Sequence, residues 1–216
     1  IREAHAAVTS RLQASPPALH PLSAAYGTLG RLLLAAGYPD SAEPCFFNAR
    51  ALDASDYRWP YYLAHIHRER GQLDEARGYL GDVLALRPDD VDALVWMGEG
   101  WLDEAESSFS RAMAVAPTSL SARYGLGRTA LARQDYRGAV DHLSRVLKQD
   151  PEAAAAHYPL ALGYQGLGDE TNAALHLRQR EDHRILPADP LIVELDGLLE
   201  SPQAYETRGI RALDRG

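Results

Sequence analysis

The sequence predicts an all-α protein, a right-handed superhelical solenoid of antiparallel helix pairs, and three features predict it. An alanine returns at Ala42, Ala76, Ala105, Ala139 and Ala173, with spacings of 34, 29, 34 and 34 residues. A small residue keeps the same ruler at Gly30, Ala64, Gly98, Gly127 and Ala161, each following a large apolar one (Leu29, Leu63, Met97, Leu126, Leu160). Within a period, apolar residues recur at helical spacing, as in Tyr26, Leu29, Gly30 and Leu33. A period near 34 marks a stacked supersecondary unit. Each unit then contacts mainly its neighbours, and the core of the 216-residue chain is a seam along the stack.

Taken in order, residues 1–22 read as an N-terminal helix followed by a proline-rich connector. Ala6, Val8 and Leu12 supply the apolar side of the helix, and "SPPALHP" at 15–21 breaks it, because proline lacks a donor and clashes in helix interiors. Residues 23–187 hold five repeats. In the first, a helix ends at Gly37 and a second follows around 40–54 with Ala42, Phe46 and Ala49 on one face. Glycine tolerates the left-handed conformation that closes a helix. The second unit carries Trp59, Tyr62, Leu63 and Ile66, stops at Gly71, then carries Leu73, Ala76, Leu80 and Val83 up to Pro88. The fourth repeats this with Leu126, Ala130, Ala139, Leu143, Val146 and Pro151, and the fifth with Leu160, Tyr164, Gly168, Ala173 and Leu177. Gly or Ala on one helix facing Ala on the other lets the paired backbones approach. Leu and Phe at flanking positions fill the seam between units.

The stretches "GQLDEARGYLGDVLALRPDD" at 71–90 and "LDEAESSFSRAMAVAPTS" at 102–119 resemble the tetratricopeptide repeat family. The resemblance covers about three quarters of the chain, with five units in phase. It implies that the first helix of each pair lines a concave groove that takes peptides or protein segments.

Two departures stand out. Gly98 and Ala105 are 7 residues apart where the other units have 12, so the third repeat is five residues short. Either a stretch is missing between Glu99 and Gly100, or the first helix is truly shortened and kinks the stack. After the fifth repeat, 188–201 reads as an out-of-phase helical insert with Leu191, Leu195, Leu198 and Leu199 on its apolar side. Residues 202–216 restart the ruler with Tyr205, Gly209, Ala212 and Gly216, as the first helix of an incomplete sixth repeat. An unpaired helix cannot bury its face alone. The expectation is a longer array, or a homo-oligomer joined through this open C-terminal repeat. The chain starts at Ile1 rather than Met, so a leader or anchor could have been removed, and the compartment stays open.

Composition narrows the chemistry. A net charge of −8 lacks the basic footprint of a nucleic-acid binder, so no nucleic-acid partner is expected. No apolar run reaches the roughly 20 residues that span a bilayer, and no membrane insertion is expected. The single cysteine, Cys45, reads as a small buried hydrophobe beside Phe46. Abundant Ala, Leu and Arg with one lysine, Lys148, fit a GC-rich bacterial source.

No phosphate-binding loop, HExxH, GxSxG or CxxC motif occurs. His65 and His67 fall on different helix faces, and His157, His176 and His183 are dispersed, so no metal site is expected. Asp74–Glu75, Asp89–Asp90 and Asp103–Glu104 sit at turns and helix starts, where negative charge complements the helix dipole. The chain reads as a non-enzyme without cofactor.

What remains is a surface. The groove-facing positions implied by the resemblance hold Arg58, Tyr61, Tyr62, His65 and Arg68 in the second repeat. They hold Trp96 in the third, Tyr124 and Arg128 in the fourth, and Tyr158 and Gln165 in the fifth. Tyr, Trp and Arg dominate binding hot spots. These rings either line the groove or pack between neighbouring first helices. The family's best-known variant clamps a C-terminal carboxylate with Lys and Asn. Here those positions hold Gly27, Arg31 and Tyr62, and chaperone-tail binding is not expected. The expected function is a scaffold holding a partner protein or peptide. The alternatives are a regulatory or targeting segment of a longer enzyme, and a self-association module.

Overall fold

The computed structural model describes residues 1–14, 18–179, 185–187 and 189–198. The described residues form α-helices and a 3-10 turn at Ala154–Ala156, joined by short connections, and no strand. In chain order these are α1 (Arg2–Gln13), α2 (Leu19–Ala35), α3 (Pro39–Leu52), α4 (Arg58–Glu69), α5 (Leu73–Leu86), α6 (Val91–Gly100) and α7 (Leu102–Val115). There follow α8 (Leu120–Ala132), α9 (Tyr136–Gln149), α10 (His157–Gly166), α11 (Glu170–Leu177) and α12 (Pro190–Asp196). Residues Ile1–Pro88 form one compact unit, joined by α12, and a second unit begins at Asp89. The expected sixth-repeat helix over 202–216 lies outside the described residues, as does Leu199.

The two units share one construction. In the first, α2 packs on α3 and α4 on α5, with α3 against α4. In the second, α6 packs on α7, α8 on α9 and α10 on α11, with α7 against α8 and α9 against α10. The five ruler alanines lie inside these pairs, each no more than 2% exposed. At its three glycines the small-residue row makes room for a large side chain. Phe46 fills the space over Gly30, Phe109 that over Gly98, and Leu143 that over Gly127. Each filler stands four residues after a ruler alanine, one helical turn on. In these three pairs a large side chain enters a notch on the facing helix.

Helix starts are built locally. Asp90, Asp135 and Asp169 accept hydrogen bonds from the backbone N–H of Ala93, Gly138 and Asn172 at 3.0–3.1 Å. These satisfy donors that a helix N-terminus leaves open. Asp74–Glu75 and Asp103–Glu104 occupy the first turns of α5 and α7, as their dipole role requires. Pro21 sits in the first turn of α2, where its missing N–H costs no intrahelical bond. The helix thus begins four residues before the expected start of the first repeat at Ser23. Cys45 is buried with Ala4, Val8, Leu22, Ala25 and Leu29, and burial pushes its thiol pKa up.

The turns inside the pairs repeat as well. Gly37, Gly71, Gln134 and Gly168 have φ of 80°, 72°, 62° and 76°. Each stands five residues before its ruler alanine. The third repeat is the exception: Gly100 holds that place but ends α6, and extended Trp101 (φ −138°) leads straight into α7.

Candidate functional site

The expected groove residues fall in different environments. On α4, Tyr61, Tyr62 and His65 are 3%, 0% and 6% exposed, and on α8 Tyr124 is 5% exposed. Arg58, Arg68, Trp96 and Arg128 are half-buried, and Tyr158 and Gln165 are exposed. Tyr61, Tyr124 and Tyr158 share a ruler position without sharing an exposure. Of the two readings open for these rings, burial fits packing at Tyr61 and Tyr124, whereas Tyr158 faces solvent.

In the first unit the tyrosines serve packing. The Tyr62 ring stacks on Phe46 with centroids 4.8 Å apart, and Phe46 is the ring that fills the notch at Gly30. Burial pushes the Tyr62 hydroxyl up to about 12, with the Arg31 charge opposing it. His65 Nε2 lies 3.1 Å from Glu69, and its Nδ1 is 3.2 Å from the Arg68 guanidinium. Arg58 is held by Asp56 at 2.5 Å and rests over the Trp59 ring at 4.9 Å. Sequence reasoning placed Arg31 at a groove position but gave it no partner. Its Nη1 donates to Glu194 Oε1 of α12 at 2.7 Å, so α12 lies on the first-helix side of this unit, against α2.

In the second unit, α8 neighbours both α6 and α10. Arg128 donates two hydrogen bonds to Glu99, at 2.9 and 2.7 Å, and lies over the Tyr124 ring at 5.6 Å. Tyr124 itself packs with Ala139, Leu143, Val146 and Leu160. Arg128 and Glu99 also border a cavity of about 250 Å³ with Gly98, Leu102, Phe109 and Gly125. On α10, Tyr158, Leu162 and Gln165 are exposed, the first two at 44% and 37%. Their i, i+4, i+7 spacing sets them on one helix face.

A pair of histidines thought dispersed comes together. His157 Nδ1 and His176 Nδ1 are 2.8 Å apart, and His176 stacks on Tyr164. Burial, then the neighbouring His157, hold the His176 pKa below the usual histidine value. Such a contact needs one ring to donate and the other to accept. Among the described residues no group of three or more metal-ligating side chains occurs, and no helix is long and apolar enough to cross a membrane.

Two family models described as tetratricopeptide repeat match the chain, one over residues 96–162 and the other over 28–91 and 61–104. A search of curated protein sequences gave no match. Among solved structures, the crystal structure of YrrB, described as a TPR protein with an unusual peptide-binding site, is 19% identical with a TM-score of 0.68, covering 90% of this chain and 98% of that one. MamA 41-end from Desulfovibrio magneticus RS-1 is 20% identical with a TM-score of 0.68, covering 83% and 97%. A tetratricopeptide repeat protein from Parabacteroides merdae is 19% identical with a TM-score of 0.65, covering 84% and 75%. The likenesses share the fold of paired helices derived above. This chain belongs to the tetratricopeptide repeat family, whose fold is that of a protein–protein interaction scaffold.

Proposed function

We propose that this chain is a non-catalytic scaffold that holds a segment of a partner protein against the first helices of its second unit. The observation behind this reading is the exposed face of α10, where Tyr158 and Leu162 stand one turn apart with Gln165 beyond them. Large apolar side chains exposed side by side, with a phenol and an amide in reach, suit an extended peptide. Rings and methyls take its apolar residues, and the polar tips take its backbone. Arg128 on neighbouring α8 adds positive charge, tempered by Glu99. The peptide-binding description of YrrB belongs to that protein, and it makes a peptide the natural class to try here.

Selection of a displayed random-peptide library on the intact chain tests this. Selected peptides are expected to bind a Tyr158→Ala/Leu162→Ala chain at least about ten-fold more weakly, as loss of a hot spot implies. Circular dichroism should be unchanged, because both side chains are exposed. Equal binding to both chains would sink the proposal.

A further inference from the structure

Helix α12 does not follow the ruler, and the structure seats it on the first repeat. It packs on α2, far away in sequence. Ile192 and Leu195, three residues apart on one face, are 2% and 1% exposed, whereas Val193 is 46% exposed. Glu194 reaches Arg31 at 2.7 Å; the Arg31 side chain is 19% exposed and that of Glu194 50%. Arg31 stands four residues after Gly27 on α2, in the row that the repeat pattern assigns to the groove. Beneath it, Tyr62 feels the charges of Arg31 and Glu194. Asp189, itself 3% exposed, caps α12 by accepting from the Ile192 N–H.

Seven residues are too few to hold a helix alone in water. The helicity of α12 is therefore lent by the surface beneath it, as for a peptide that folds on binding. Its anchors on the first unit are two apolar side chains and an ion pair, and its cap comes from its own segment. The pair α2–α3 closes through Phe46 at the Gly30 notch, and α3 packs on α4 and α4 on α5 without residues of α12.

We propose that α12 is a resident ligand of the first unit. The face around Arg31 and Tyr62 is a docking surface for a short acidic amphipathic helix. The chain's own segment occupies it, and a partner helix of the same chemistry takes it when that segment is displaced. The partner carries aliphatic residues at i and i+3 with a carboxylate at i+2, the pattern of Ile192, Leu195 and Glu194. This assignment concerns the first unit and is independent of the peptide proposed for the second.

The probe is a fluorescently labelled synthetic peptide of residues 187–198, titrated into the full 216-residue chain and into an Ile192→Asp/Leu195→Asp chain. The variant is expected to bind the peptide about ten-fold more tightly or better, because a self-occupied site lowers apparent affinity by its unoccupied fraction. A peptide carrying Glu194→Arg should lose that gain and recover it when Arg31→Glu is added to the chain. If the double aspartate chain loses helicity, a full chain carrying Glu194→Arg replaces it, with the same ratio expected. Equal affinity for released and native chains, or indifference to the charge reversal, would overturn the proposal. So would a dimeric native chain in light scattering that exchanges α12 between copies.

Discussion

The second and third helix pairs carry nearly the same words at their turns, "GQLDEA" at 71–76 and "GWLDEA" at 100–105, yet they fold differently. After α4, Gly71 turns left-handed at φ 72°. Its N–H donates to the Arg68 carbonyl at 3.0 Å and that of Gln72 to His67 at 2.9 Å, the double closure that ends many helices. After α6, Gly100 stays helical and Trp101 is extended. What differs is the helix in front: α4 has 12 residues and α6 has 10. A glycine permits a left-handed turn, but the preceding helix must also arrive at the right height. Beside the end of α6 lies the cavity of about 250 Å³, bordered by the Arg128–Glu99 pair.

The largest test of this contrast is at Phe109, whose ring lies against Gly98 of α6 and Gly125 of α8. A Cβ on Gly125 would stand 2.3 Å from that ring, and one on Gly98 2.7 Å. Gly125→Ala should destabilise the chain by about 1–3 kcal/mol in urea unfolding, the usual cost of overpacking. Adding Phe109→Leu should recover part of it. An unchanged midpoint would mean that the ring slides into the cavity, and that the short repeat is looser than its packing implies. Next in size is Gly71→Ala. Nothing stands within 4 Å of the added Cβ, so the cost is that of left-handed backbone alone, about 1–2 kcal/mol. The smallest effect has the opposite sign. Gly100→Ala also meets nothing within 4 Å and sits in a helix, so it should stabilise by about 0.4–1 kcal/mol. Destabilisation there to the extent seen at Gly71 would show that both glycines turn alike in solution and would erase the contrast.

Much of the fold was legible because a repeat states its periodicity several times. The ruler alanines, the turn glycines at 37, 71 and 168, and the acidic residues at the starts of α5, α6 and α7 all act through neighbours close in sequence. Gln134 shows the limit: it takes the same left-handed turn at φ 62° without being glycine, and only the register of the ruler points to it. The side chains that fill the glycine notches were not legible, because a notch for Phe46 and a contact with Ala42 leave the same periodic trace. The binding face was the least legible part. Tyr61, Tyr124 and Tyr158 are identical by position, and their exposure depends on what packs around each. His157 and His176 met only because α10 and α11 are antiparallel, which places residues 19 apart side by side.

By itself, the sequence determined the all-helical class, the pairing of helices and the sites of their turns and caps. Those follow from interactions within a few residues or one repeat, and each repeat restates them. Only the tertiary structure decided which groove tyrosines are core and which exposed face is left on α10. It also decided that Glu194 crosses 163 positions to Arg31. Burial and long-range ion pairs depend on the sum of surrounding surfaces, and no local pattern encodes that sum.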